Sequence, residues 1–108
     1  MTRLLVRPAA AADIEEAYRW YERQQEGLGD EFLTAVDATM NDILAHPRIY
    51  PVIYRDLRRA LLRRFPYAIF YRLYGDTAVA VACMHGRRDP THWRAVPEGN
   101  TRSLIARG

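Results

Sequence analysis

Eight arginines, Arg58, Arg59, Arg63, Arg64, Arg72, Arg87, Arg88 and Arg94, crowd one stretch of the chain, and His85 sits among them. Every basic residue is arginine; there is no lysine. A guanidinium forks onto phosphate or carboxylate but stays protonated, so any proton transfer must fall to His, Tyr, Asp or Glu. The chemistry such a set suits is recognition of an anion, or cleavage of RNA through attack by a 2′-hydroxyl. That reaction needs a base, an acid and stabilisation of the developing phosphorane charge. Arg59, Arg63, Arg87 and Arg88 are candidates for charge stabilisation. His85 is the best candidate for proton transfer because its unperturbed pKa lies near neutrality; the competing role is that of a strand-end histidine bonded to backbone. His92 is a candidate partner, or a surface loop residue. Arg72 is placed to grip an anion or to pair with Asp76 or Asp89. Asp89 suits a turn-ordering bond across Arg87 and Arg88. Tyr67 and Tyr71 read as core residues with polar tips.

Other chemistries find little support. His46, His85 and His92 lack metal-ligand spacing. Cys83, the single cysteine, reads as a small buried hydrophobe rather than a nucleophile. No glycine-rich phosphate loop is present, so no cofactor is expected.

Charge is distributed unevenly. Residues 1–47 hold four arginines against nine acids, whereas residues 48–94 hold ten arginines against three acids. This asymmetry points to an anionic partner for the second half. With 108 residues, 49% of them hydrophobic, the chain has material for one modest core. We expect a single domain over residues 1–96 and a polar, mobile tail over 97–108. No apolar run approaches the length of a membrane span and the N-terminus lacks a secretory pattern, so the expected location is cytoplasmic, with no membrane partner.

The elements that must position these residues follow from periodicity. Leu4-Leu5-Val6 is a short strand. Ile14, Ala17, Tyr18 and Tyr21 mark an amphipathic helix from about Ala9 to Glu26, ended at Gly27. Phe32, Leu33, Val36, Met40, Ile43 and Leu44 mark a second helix, starting at Gly29 or Asp30 and closed by His46-Pro47. Residues 48–57 read as a loop. Three strands follow, over about 58–65, 67–74 and 77–85, with Gly75-Asp76 as a hairpin turn. Alternation puts Arg59, Leu61 and Arg63 on one face of the first, and Val79, Val81, Cys83 and His85 on one face of the last. The expected fold is α+β, in the order β-α-α-β-β-β. A helical hairpin packs on one face of a mostly antiparallel four-stranded sheet, and the other face is open and carries arginines.

The Phe65-Pro66-Tyr67-Ala68-Ile69-Phe70-Tyr71-Arg72 strand and the His85-Gly86-Arg87-Arg88-Asp89-Pro90 end, followed by Trp93, resemble the RelE/ParE superfamily of toxins from bacterial type II toxin–antitoxin systems. The resemblance spans about residues 3–94. It implies a growth-inhibiting toxin and a cognate antitoxin that wraps it with an acidic, amphipathic segment on the hairpin and the sheet edge. RelE-like members cut messenger RNA on the ribosome; ParE-like members poison DNA gyrase. Arg59, Arg63 and Arg88 match basic positions of the nuclease members. Ala68 and Leu61 stand where those members tend to be basic, and Trp93 where a late tyrosine is usual. The partly filled set favours a ParE-like toxin that binds gyrase without chemistry of its own. The alternatives are a ribosome-dependent mRNA endonuclease, with His85, Arg59, Arg63 and Arg88 as its catalytic set, and a non-toxic nucleic-acid-binding module. In every case the target- or anion-binding set comprises Arg59, Arg63, Arg72, His85, Arg87 and Arg88.

Overall fold

The computed structural model describes residues 2–86; Arg87, Arg88 and the 97–108 tail lie outside the described residues. The order of elements is β1 (Arg3–Val6), α1 (Pro8–Gln24), α2 (Leu28–Ala45), β2 (Val52–Tyr54), β3 (Leu57–Leu61), β4 (Tyr67–Tyr74) and β5 (Thr77–His85). The α+β class and the helical hairpin agree with expectation; the sheet does not. It has five strands among the described residues, in the order β1-β5-β4-β3-β2, and it is mixed rather than nearly all antiparallel. Strands β2 to β5 form an antiparallel meander, and β1 docks parallel on β5, with Leu5 opposite Val79. The extra strand is β2. It is three residues long, follows Pro51 and pairs irregularly with β3, so its alternation is too short to stand out from a proline-flanked loop. At the other end β3 stops at Leu61, four residues earlier than expected, because the chain turns through Arg64 at φ +69°.

The hairpin owes its geometry to a few local choices. Pro8 opens α1, where its missing N–H costs nothing. Gly27 takes φ +88°, a left-handed conformation that glycine adopts without a Cβ clash. It is also the residue before α2, and has no side chain to cap that helix. Glu22 does so instead: its carboxylate accepts from the Gly27 and Gly29 amides at 3.0 and 2.9 Å. Asp30 and Glu31 in the first turn of α2 complement the helix dipole.

The helices cover one face of the sheet. Tyr21 and Phe32 stack at 5.3 Å, and Phe65 packs edge-on against both. Ala78 and Ala80 are small enough to let the hairpin approach β5. Each large buried side chain here contributes roughly 1.5–3 kcal/mol. The C-terminal end of α2 is tied down by Tyr71, whose hydroxyl donates to the Pro47 carbonyl at 2.6 Å. Arg58 holds the following loop through the Arg48 and Tyr50 carbonyls.

The second face is not the exposed platform that alternation implies. Leu57, Ala68, Phe70, Val79, Val81 and Ala82 form a second apolar cluster there, and none is more than 7% exposed.

One ladder irregularity decides which residues share a face. Phe70 pairs with Ala82, but Tyr71 pairs with Ala80, so Val81 is an extra residue in β5. A bulge of this kind puts two consecutive side chains on one face and inverts the alternation beyond it. Val81 and Ala82 both join the second cluster, and Cys83 joins the helix-side core.

The Glu22 cap gives a direct stability test. Glu22→Ala should lower unfolding free energy by about 1–2 kcal/mol, as loss of a helix cap does. Glu22→Gln, which can still accept through its amide oxygen, should lose less. Urea denaturation of the three proteins compares them.

Candidate functional surface

Of the six residues singled out for chemistry, the four that are described, Arg59, Arg63, Arg72 and His85, do not converge on one site. Arg59 and Arg72 lie on the second face, opposite the helices. Arg59 is the β-partner of Phe70, and its Nη1 donates to the Gly86 carbonyl at 2.9 Å. Its Nε is buried with no hydrogen-bond partner among the described residues. Arg72 is only 6% exposed, and its Nε donates to Asp56 at 2.8 Å. Asp56, which the sequence did not suggest, is thus an acidic partner of Arg72, while Asp89 lies outside the described residues; Asp56 stands in the tight β2–β3 turn beside Arg55, which takes φ +52°. Arg7 feels the Arg72 charge: burial, and then that charge, lower the Arg7 pKa. Sequence reasoning missed Arg7, and no local signal marks it, because the β1–β5 pairing alone brings it towards β4.

Arg63 belongs to a different region. Because β3 has ended, it follows the turn towards α2, and Nη2 lies 3.6 Å from Asp42. Its neighbour Arg64 pairs with Glu31 of α2. Both pairs are well exposed, so each contributes of order 0–1 kcal/mol and leaves its arginine accessible. Alternation across 59, 61 and 63 would have placed Arg63 beside Arg59; the turn separates them.

His85 is on the helix side. It is the β-partner of Tyr67, with ring centroids 6.4 Å apart, and Tyr67 packs in turn on Tyr21 and Phe32. The cleft that receives His85 has a volume of about 310 Å³ and is also lined by Asp13, Glu16, Trp20, Arg23 and Cys83. His85 and Arg59 therefore leave the sheet from opposite faces, although the Arg59 head group reaches the carbonyl of Gly86, the residue after His85. The physical cause is the Val81 bulge, without which Cys83 and His85 would share the face of Val79. Arg87 and Arg88, like Asp89, His92 and Trp93, lie outside the described residues.

Among the described residues no group of three or more His, Cys, Asp or Glu side chains is arranged to hold a metal ion. No helix there is long and apolar enough to cross a membrane. Cys83 is 2% exposed, and burial followed by the nearby Asp13 pushes its thiol pKa up to about 12. A thiol held protonated is a poor nucleophile. Burial likewise pushes Tyr71 up to about 12.

These two shifts set a pH response. Both groups have folded pKa values above their unfolded values, so the folded state binds their protons more tightly. Their contribution is complete below the unfolded pKa values and is lost as pH rises towards about 12. Stability measured by urea denaturation should be level through neutral pH and decline from about pH 9 upward. Cys83→Ala should lower stability at neutral pH by opening a small void, yet flatten the first part of the alkaline decline. Asp56→Ala, which strips a partner from a buried guanidinium, should cost about 1–3 kcal/mol.

Comparison with known proteins adds what geometry alone does not supply. The family model described as the ParE toxin of type II toxin–antitoxin systems, parDE, matches residues 4–90. Among solved structures, the chain is similar to one described as a chromosomal ParDE TA system from P. aeruginosa. Identity is 20%, the TM-score is 0.61, and the match covers 79% of this chain and 96% of that one. At that identity the likeness speaks for the fold. No curated protein shows a significant sequence match. A family match running from β1 past the end of β5 takes in both helices and all five strands, and on that ground the chain belongs to the ParE toxin family of type II toxin–antitoxin systems.

Proposed function

We propose that this toxin inhibits growth by binding DNA gyrase, without cutting a bond itself, and that a cognate antitoxin neutralises it. The observation that carries the first part is the separation of the candidate catalytic groups. General acid–base catalysis needs the proton-transfer group within about 3 Å of the atom it serves, or one water away. His85 faces α1, Arg59 lies across the sheet, Arg63 stands by Asp42 and Arg72 is engaged by Asp56. Ala68 is buried and Leu61 is apolar at the positions where the nuclease relatives are basic. What the chain offers is charge and shape. The target-binding set proposed is Arg59, Arg63, Arg87 and Arg88; of the two other candidates, Arg72 is an internal brace for Asp56 and the β2–β3 turn, and His85 lies in the cleft along α1. Membership of the ParE family supports the same target.

The antitoxin reading rests on the family and on charge. A partner segment rich in acids would complement the arginine-rich second half of the chain and steer association. It is expected on the hairpin and the sheet edge.

Induced expression with two readouts tests the target. Gyrase inhibition predicts loss of negative supercoiling in a reporter plasmid while transcripts stay intact. Rapid loss of translation with cleaved messenger RNA would instead support the endonuclease reading. Arg87→Ala combined with Arg88→Ala should relieve growth inhibition by at least about tenfold in surviving colonies, as loss of two charged contacts would. Unchanged toxicity of that double variant, at equal expression, would move the functional surface elsewhere.

A further inference from the structure

The end of β5 fixes how the chain leaves the sheet. The Gly86 amide donates to the Pro66 carbonyl at 2.9 Å, and the Gly86 carbonyl accepts from Arg59 Nη1, also at 2.9 Å. Both backbone polar groups of this buried residue are therefore taken, one by the β3–β4 connection and one by a side chain of β3. Packing adds a third constraint. A Cβ on Gly86 would stand 2.5 Å from Leu61 Cδ2 and 3.6 Å from the Ala68 Cβ. Ala68 belongs to the apolar cluster of the second face, and Leu61 is its partner across the β3–β4 ladder. Paired residues share a face, so Gly86 rests against the face that carries Arg59. His85, one residue earlier, lines the cleft on the helix side.

Arg59 is placed for holding rather than for reaching out. One of its terminal nitrogens is committed to Gly86, and its Nε is buried with no hydrogen-bond partner. A buried donor left unpaired is costly, and an arginine that served only as an outward contact would shed that cost by turning into solvent. The bond that keeps it inward is charge-assisted and spans 27 residues of chain. The floor beneath is small for the same reason: Ala68 is 0% exposed, and a longer side chain there would run into Gly86.

We propose that Arg59 is a positioning residue: by holding the Gly86 carbonyl over Leu61 and Ala68 it sets the direction in which the chain runs on to Arg87 and Arg88, and it acts on the target through those two residues. This rests on the reading above that Arg87 and Arg88 contact the target, and within that set it gives Arg59 the indirect role.

The test is a double-mutant cycle read as the expression level that halves growth rate. It compares the wild type, Arg59→Ala, the Arg87→Ala and Arg88→Ala double variant, and the triple variant. Residues that act as a unit give non-additive losses, whereas independent contacts add. Arg59→Ala should raise the required level about tenfold, and the triple variant should match the double variant. Arg59→Lys, which keeps a charged donor of similar reach, should recover most of the toxicity. In the full ¹⁵N-labelled chain, Arg59→Ala should shift the Gly86 and Arg87 amides and leave the Cys83 amide in place. Urea denaturation checks that the variants remain folded, and Arg59→Gln, shorter and uncharged, replaces alanine in the cycle if Arg59→Ala does not fold. A further loss in the triple variant as large as that in the wild-type background would overturn the proposal, because Arg59 would then touch the target itself. Full toxicity of Arg59→Ala would overturn it as well, as would lost toxicity with the Gly86 and Arg87 amides unmoved. A wrong choice of gyrase as target leaves this growth cycle intact and shows instead in the supercoiling readout, so the two failures are distinct.

Discussion

A single surplus residue in the central ladder governs what this molecule can do. Side chains on a strand alternate, and a one-residue insertion inverts every face assignment beyond it. Val81 is that residue: Tyr71 meets Ala80, and Phe70 already meets Ala82. Before the bulge, Ala78 and Ala80 face the helices and Val79 faces away; after it, Cys83 faces the helices and Ala82 faces away. Beside Tyr67, His85 is thereby brought into the cleft along α1. The outward turn of the Cys83 amide and its bond to Asp13 hold α1 against this end of the strand. Move the bulge, and the cleft, the helix contact and the position of the histidine all change together.

The two faces of the sheet solve different problems. On the helix side an aromatic group of Tyr21, Phe32, Phe65 and Tyr67 supplies most of the large contact area, and small alanines let the hairpin settle. On the other side arginines lie over an apolar floor. The aliphatic stem of an arginine can cover such a floor while its head group finds an acid or a carbonyl. Arg72 finds Asp56 and Arg59 finds Gly86. Burying a charge is tolerable only with partners of this kind, which explains why Arg72, the least exposed of the described candidate arginines, is also tied to a carboxylate. Arginine content is therefore an unsafe guide to a binding surface: some of these side chains hold the fold, and others, such as Arg63 and Arg64, decorate the flank of α2.

Membership of a toxin family and the scattering of the candidate catalytic residues fit together physically. A binder needs complementary charge and shape over a surface, whereas a nuclease needs a few groups held within hydrogen-bond reach of one phosphate. Charge is divided along the sequence, acidic over residues 1–47 and basic over 48–94, but the fold brings the two together where Arg63 and Arg64 meet Asp42 and Glu31.

Both helices were legible in the sequence because each carries a 3.6-residue apolar repeat over several turns and ends on glycine or proline: Ile14, Ala17 and Tyr21 in α1, Phe32, Val36 and Ile43 in α2. Strands β4 and β5 were legible for the same reason at period two. Strand β2 was not, because three residues cannot establish a period, and the direction of β1 was not, because pairing partners are chosen by the assembled sheet. The residue types for charge recognition were plain in the chain; which of them share a face was not. Local sequence sets alternation, but a bulge in one strand exists only relative to its partner. Tertiary pairing alone therefore decided that His85 and Arg59 leave the sheet from opposite faces, that Arg72 bonds Asp56, and that the Arg72 charge acts on Arg7.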